Sequence, residues 1–138
     1  MAATLKLEVT TPQGQVYSKD VDMVTLPGQE GEMGILPMHV PVIALLGDGE
    51  IIARRGPEQD RLLVTGGCAE ITQERVAVLT VFATDVAAID EKKAEEARAR
   101  AEARLKEKIS PEEVALVQAS LAHSVAQLKV KRHHHHRP

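Results

Sequence analysis

Leu26-Pro-Gly-Gln-Glu-Gly-Glu-Met-Gly-Ile-Leu-Pro-Met-His-Val-Pro41 is the most tightly specified stretch of the chain. Three glycines and three prolines fall within sixteen positions, and Ile35, Leu36 and Val40 are left as apolar side chains for a core. Proline fixes φ and glycine opens backbone regions closed to other residues, so this segment is shaped by its sequence rather than left to fluctuate. A surface segment shaped this closely is expected to present something.

Working outward from it, composition changes sharply between Phe82 and Asp90. Before the change, short apolar runs alternate with turn residues. Leu5, Leu7 and Val9 alternate with Lys6, Glu8 and Thr10, the period-2 pattern of a half-buried strand, and Thr11-Pro12-Gln13-Gly14 turns the chain. Val16 to Leu26 reads as a strand or a bent pair, and Val40 to Leu46 as a strand ending in a hairpin-type turn, Gly47-Asp48-Gly49. Ile51-Ile52-Ala53 precedes a polar loop, Arg54 to Asp60; Leu62-Leu63-Val64, Ala69-Glu70-Ile71 and Val76 to Phe82 complete the series. Strands this short, with no helical window between them, imply an antiparallel β-sandwich or flattened barrel.

From Asp90 onward glycine disappears and alanine and charge dominate. Asp90 can cap a helix in which Ala94, Ala97, Ala101 and Leu105 share a face, and Glu96–Arg100 and Glu102–Lys106 have the spacing of favourable i,i+4 pairs. Ser110-Pro111-Glu112-Glu113 restarts a helix with Ser at the N-cap, Pro at N1 and Glu at N3, a capping box. Its expected apolar stripe is Val114, Val117, Leu121, Val125 and Leu128. Two helices of roughly 19 and 20 residues joined by a few residues make an antiparallel hairpin. Alanine methyls offer only ~0.8 kcal/mol per buried carbon against ~1–2 kcal/mol per residue of backbone ordering. The helices should therefore persist while their mutual docking stays negotiable. The predicted organisation is a sandwich over 1–87, a hairpin over 88–131 and a disordered His-rich tail over 132–138.

Composition narrows the function. The net charge is −3, and Tyr17 and Phe82 are the whole aromatic content, so the aromatic platforms and basic surface of nucleic-acid modules are missing. Cys68 stands alone in an apolar stretch and reads as an inert thiol. His39 and Glu32 form an acid–base pair only on the weakest reading, since no nucleophile or triad surrounds them. Adjacent His133 to His136 at a chain end make no preorganised metal site, and the tail is either native or appended. The N-terminus lacks the apolar core of a signal peptide, and no run approaches the ~20 apolar residues of a membrane span. The expectation is a cytosolic, soluble chain that reaches a membrane only through a partner.

Gly28, Glu30, Gly31, Glu32, Met33, Gly34, Ile35, Pro37, His39 and Pro41 match ten positions of the pattern Gly-x-Glu-Gly-Glu-hydrophobic-Gly-Ile-x-Pro-x-His-x-Pro. This pattern resembles that of the epsilon subunits of bacterial F-type ATP synthases. Gly49-Glu50-Ile51, Val64-Thr65-Gly66-Gly67 and Val76 to Ala83 extend the resemblance, which covers residues 4 to 131. It implies a ten-stranded sandwich followed by a two-helix domain that moves between compact and extended, inhibitory states. It further implies a non-catalytic central-stalk subunit at the cytoplasmic face of the inner membrane, coupling the catalytic sector to the c-ring. The implied partners are the gamma subunit, the c-ring and the beta and alpha subunits.

The same resemblance assigns roles to residues. Glu32, Met33 and His39 would dock on the c-ring, two carboxylates beside Gly31 steering that approach. Ile89-Asp90-Glu91-Lys92-Lys93-Ala94 matches a nucleotide-sensing motif except that Lys93 replaces Arg, losing the planar fork that grips phosphate, which argues against tight ATP binding. The positions facing it on the second helix read as His123, Ser124 and Gln127 rather than Arg. Asp90 is equally readable as a helix cap alone. Arg98, Arg100, Arg104, Lys106 and Lys108 are either a solvated, salt-bridged face or the contact to an acidic loop of a beta subunit. The alternative to the whole reading is a stand-alone β-sandwich that senses a ligand through its helix hairpin.

Overall fold

The computed structural model describes residues 3–135. The chain divides into two compact units after Asp85. In the first, β1 (Leu5–Thr11), β2 (Gly14–Val21), β3 (Met23–Gly28), β4 (Gly31–Ile35), β5 (Val42–Leu45), β6 (Gly49–Arg55), β7 (Glu58–Val64), β8 (Cys68–Ile71), β9 (Arg75–Leu79) and β10 (Ala83–Asp85) form two five-stranded sheets. Their orders are β2-β1-β9-β8-β5 and β10-β7-β6-β3-β4. Together they make the β-sandwich expected from the strand spacing. Pairing is antiparallel apart from β1 against β9, which run parallel.

Strand periodicity places the core. Leu5, Leu7 and Val9 on β1 are buried while Lys6 is exposed, because successive side chains on a strand point to opposite faces. From the other strands, Val24, Leu26, Ile51, Ile71, Val76 and Val78 meet them between the sheets. All are aliphatic, each contributing about 1.5–3 kcal/mol by leaving water.

Three local expectations are corrected. Arg54 to Asp60 is a hairpin between β6 and β7 rather than a loop, with Gly56 at φ +59 followed by Pro57, as a two-residue II′-type turn requires. Its polar residues belong in strands because they pair. Tyr17 Oη donates to Asp60 Oδ2 at 2.6 Å, Arg55 Nε donates to the same oxygen at 2.8 Å, and Lys19 Nζ lies 3.7 Å away. This cluster joins β2 of one sheet to the β6–β7 hairpin of the other. Arg55, chiefly, holds the Asp60 carboxyl below the usual range, while burial and then Asp60 push the Tyr17 phenol up.

Gly47-Asp48-Gly49 is no hairpin turn either, since β5 pairs with β8 and β6 with β3 and β7. It carries the chain from one sheet to the other. Leu46, buried there, bridges to Gly28. Finally, Leu26 to Pro41 is not one loop: β3 ends in it and β4 occupies its middle, paired from Val24↔Ile35 to Gly28↔Gly31. The double glycine after β7 is a steric necessity, because a Cβ on Gly67 would lie 2.0 Å from the Leu79 carbonyl oxygen.

The second unit opens with a 3-10 turn, Val86–Ala88, followed by α1 (Glu91–Leu105) and α2 (Pro111–His135). α2 is longer than its periodicity predicted, so Arg132 to His135 of the expected tail are helical; His136 to Pro138 lie outside the described residues.

Candidate functional site

The first candidate surface lies where the edge strands β4 and β5 approach. The Gln29 N–H donates to the Leu45 carbonyl at 3.0 Å and the Gly47 N–H to the Pro27 carbonyl at 2.8 Å, pinning the β3–β4 turn against the end of β5. An open concavity of about 440 Å³ results, lined by Met33, Ala44 and Leu45 with Glu30 and Glu32 among its residues. Both carboxylates are exposed and Met33 is half-buried.

Beyond β4 the chain turns through Met38, whose φ of +70 is unusual for a residue with a side chain, and its N–H is held by the Gln73 carbonyl at 2.8 Å. His39 is half-buried and its Nδ1 lies 2.7 Å from the Val40 carbonyl, so that nitrogen carries the proton and donates. Among the described residues no hydrogen bond joins His39 to Glu32. Ile35 is fully buried as expected, but Leu36 and Val40 are not core residues: they are 58% and 74% exposed, and Met38 is exposed beside them.

The second surface was not legible as a surface. Register sets Leu45, Cys68, Leu79 and Thr10 in one row across the sheet β5-β8-β9-β1, and Ile43, Glu70, Ala77 and Glu8 in the next. Ile43, Leu45 and Leu79 are each more than half exposed. Single exposed apolar residues are ordinary, but a contiguous row on a sheet continuing into the Leu45 concavity is what a partner would cover. The alternation in Val76 to Phe82 was the available signal, because it assigns Leu79 to the face opposite Val76 and Val78.

In the helical unit, Asp90 is the N-cap of α1, its Oδ1 accepting from the N–H groups of Lys92 at 3.0 Å and Lys93 at 3.2 Å. Ile89 and Ala94 are buried and Lys93 is exposed, so the motif's apolar positions pack while its cation faces water. Arg98 is paired with Glu95 and Glu102. Arg104 donates from Nε to Glu113 Oε1 at 2.7 Å and also binds Glu107; Glu113 first and Glu107 second raise its pKa. Arg100, Lys106 and Lys108 are exposed and, among the described residues, enter no ion pair. The five basic positions are thus not one equivalent face.

Ser110 caps α2 by accepting from the Glu113 N–H at 3.2 Å, as the sequence predicted, while the Glu113 carboxylate is taken by Arg104. The stripe on α2 needs correction. Leu128 is buried, but Val125 is 44% exposed, and His123 and Ser124 are buried in its place. Ser124 manages this by donating its hydroxyl to the Ser120 carbonyl at 3.0 Å. Among the described residues no three His, Cys, Asp or Glu side chains gather as a metal site would require, and no helix is long and apolar enough to cross a membrane.

Residues 4–86 match the family model for the ATP synthase delta/epsilon chain, beta-sandwich domain, and residues 88–132 the model for its long alpha-helix domain. An ATP synthase epsilon chain from Syntrophobacter fumaroxidans is 42% identical over 130 residues, spanning 94% of this chain and 97% of that one. The chain belongs to the ATP synthase epsilon-chain family. A second epsilon chain, from Dehalococcoides mccartyi, is 43% identical over 136 residues and covers 96% of this chain and 97% of its own length. Among solved structures, a chain of the Euglena gracilis mitochondrial ATP synthase, in an assembly that includes the c-ring, has a TM-score of 0.63 at 26% identity. The match covers 91% of this epsilon chain and 79% of that one. A chain of the Tetrahymena thermophila central stalk and c-ring shares the fold, with a TM-score of 0.59 at 12% identity over 92% of this chain and 96% of that one. Both family-model matches and both relatives therefore place this chain among ATP synthase epsilon chains over nearly its whole length.

Proposed function

We propose that this epsilon chain is a non-catalytic rotor subunit that couples the catalytic sector to the c-ring and restrains ATP hydrolysis through its helices. The observation that carries the docking half is the exposed row of Leu45 and Leu79, with Ile43 beside it in the next row, running into the Met33 concavity. Its outer sheet face suits the gamma subunit, which would cover that apolar row. Glu32, Met33 and His39 lie on β4 and the following loop, with Glu30 and Glu32 placed to steer toward basic groups of the c-ring. The chain would sit peripherally at the cytoplasmic face of the bacterial inner membrane, held there by the complex.

The brake half rests on the contrast between a well-filled sandwich and a thinly packed hairpin, which allows the helices to part and meet the beta and alpha subunits. Arg100, Lys106 and Lys108 are the cations ready to do so. ATP is not part of this function: Asp90 is occupied as a cap, Lys93 lacks the fork of Arg, and His123 and Ser124 occupy the facing helix. Co-purification with the gamma subunit from the same source tests the docking half. The parent chain is retained, and Leu79→Asp, which places a charge on the row without entering the core, is lost. Retention of Leu79→Asp equal to the parent would move the gamma interface to another face.

A further inference from the structure

The seam between α1 and α2 offers little apolar area. Ala94 and Ala101 are the side chains that α1 buries, and among the described residues α2 buries His123, Ser124 and Leu128. With so little hydrophobic gain, interactions that cross between the helices elsewhere weigh more in the balance between closed and open. An ion-pair cluster crosses at the connected end. Arg104 in the last turn of α1 reaches Glu113 in the first turn of α2 through both Nε and Nη2, and holds Glu107 of the connecting segment through Nη1. Each charge also sits at the helix end whose dipole favours it, Arg104 at a C-terminus and Glu113 at an N-terminus.

We propose that Arg104 and Glu113 form a latch that sets how readily the hairpin opens. The latch is a property of the free chain; only its use as a restraint on the brake rests on the function proposed above. It also divides the basic residues of the first helix region. While the hairpin is closed the Arg104 guanidinium is shared by two carboxylates, so an acidic partner must compete with both, whereas opening frees the share held by Glu113. Arg100, Lys106 and Lys108 carry no such condition.

Thiol labelling of a buried seam position in the full-length chain tests this, with Cys68→Ser removing the native thiol and Ser124→Cys as the reporter. Opening exposes the thiol, so its modification rate follows the open population even when that population is small. Glu113→Gln is expected to raise the rate about two- to fivefold at low ionic strength, the scale of a paired surface charge, and the excess should fade near ~0.5 M salt. Glu112→Gln, which removes the adjacent exposed acid and an equal dipole interaction but no partner, should leave the parent rate. Ala101→Cys gives the same readout from α1 if Ser124→Cys perturbs folding. A Glu113→Gln rate equal to the parent at low salt, or an equal rise in Glu112→Gln, overturns the latch. Neither result depends on whether the assembled complex is inhibited.

Discussion

In the sandwich, leucine, isoleucine and valine side chains from both sheets meet in a core where many have no exposed area; in the hairpin, α1 buries two alanines and α2 a histidine, a serine and a leucine. The sandwich resists change because each core side chain touches many others and its removal leaves a cavity. The hairpin is held by capped, alanine-rich helices that are stable individually, by a small seam and by ion pairs at its connected end. The function proposed above calls for both kinds of part: one that transmits position without yielding, and one that can be released. The division falls where the composition changes, after Asp85.

The largest test of this contrast is a cavity in the sandwich. Leu7→Ala, at a fully buried site, should lower unfolding stability by about 2–5 kcal/mol in denaturant titration. Within the hairpin, Leu128→Ala should cost several times more than Val125→Ala, which should stay within about 0.5 kcal/mol by thermal melting of helical signal. Equal losses at the two positions would restore the stripe read from sequence.

A smaller effect concerns the polar tie between the sheets. Arg55 lowers the Asp60 pKa, so this pair adds stability above the unfolded carboxyl value of ~3.9, and that stability is lost as pH falls through the folded value. The stability gap between the parent and Asp60→Asn should be full at neutral pH and close below about pH 4. A gap that widens on acidification would place the stabilisation elsewhere. The smallest effect is expected from nucleotide. Calorimetric titration of the parent with ATP should show no micromolar binding, and such binding would mean that Lys93 serves as well as Arg.

What could be read in advance depended on whether local chemistry decides the outcome. Asp90, Ser110 and Pro111 announced the helix starts because capping is local, and Leu5 to Val9 announced a strand because alternation is local. Arg54 to Asp60 misled because Arg55 pairs with Glu58 and Asp60 across the hairpin and Asp60 also binds Tyr17, distant in the chain, so a polar stretch could be strand. Gly47 to Gly49 misled because turn residues serve a sheet crossing as well as a hairpin. The family pattern in Gly28 to Pro41 marked the segment now proposed to dock, yet Leu36 and Val40 looked like core, since hydrophobicity alone does not tell burial from presentation. The Leu79 row needed the register of four strands. In α2, Ser124 is buried where the stripe had Val125, because its hydroxyl is satisfied within the helix by the Ser120 carbonyl, which hydrophobicity does not reveal.

The division of labour is tested most directly by rebuilding the complex with the chain truncated before Ala88. The truncated chain should still be retained by gamma and the c-ring, and ATP hydrolysis by the complex should rise above that with the full chain. Unchanged hydrolysis, or loss of retention, would contradict a docking sandwich joined to a releasable brake.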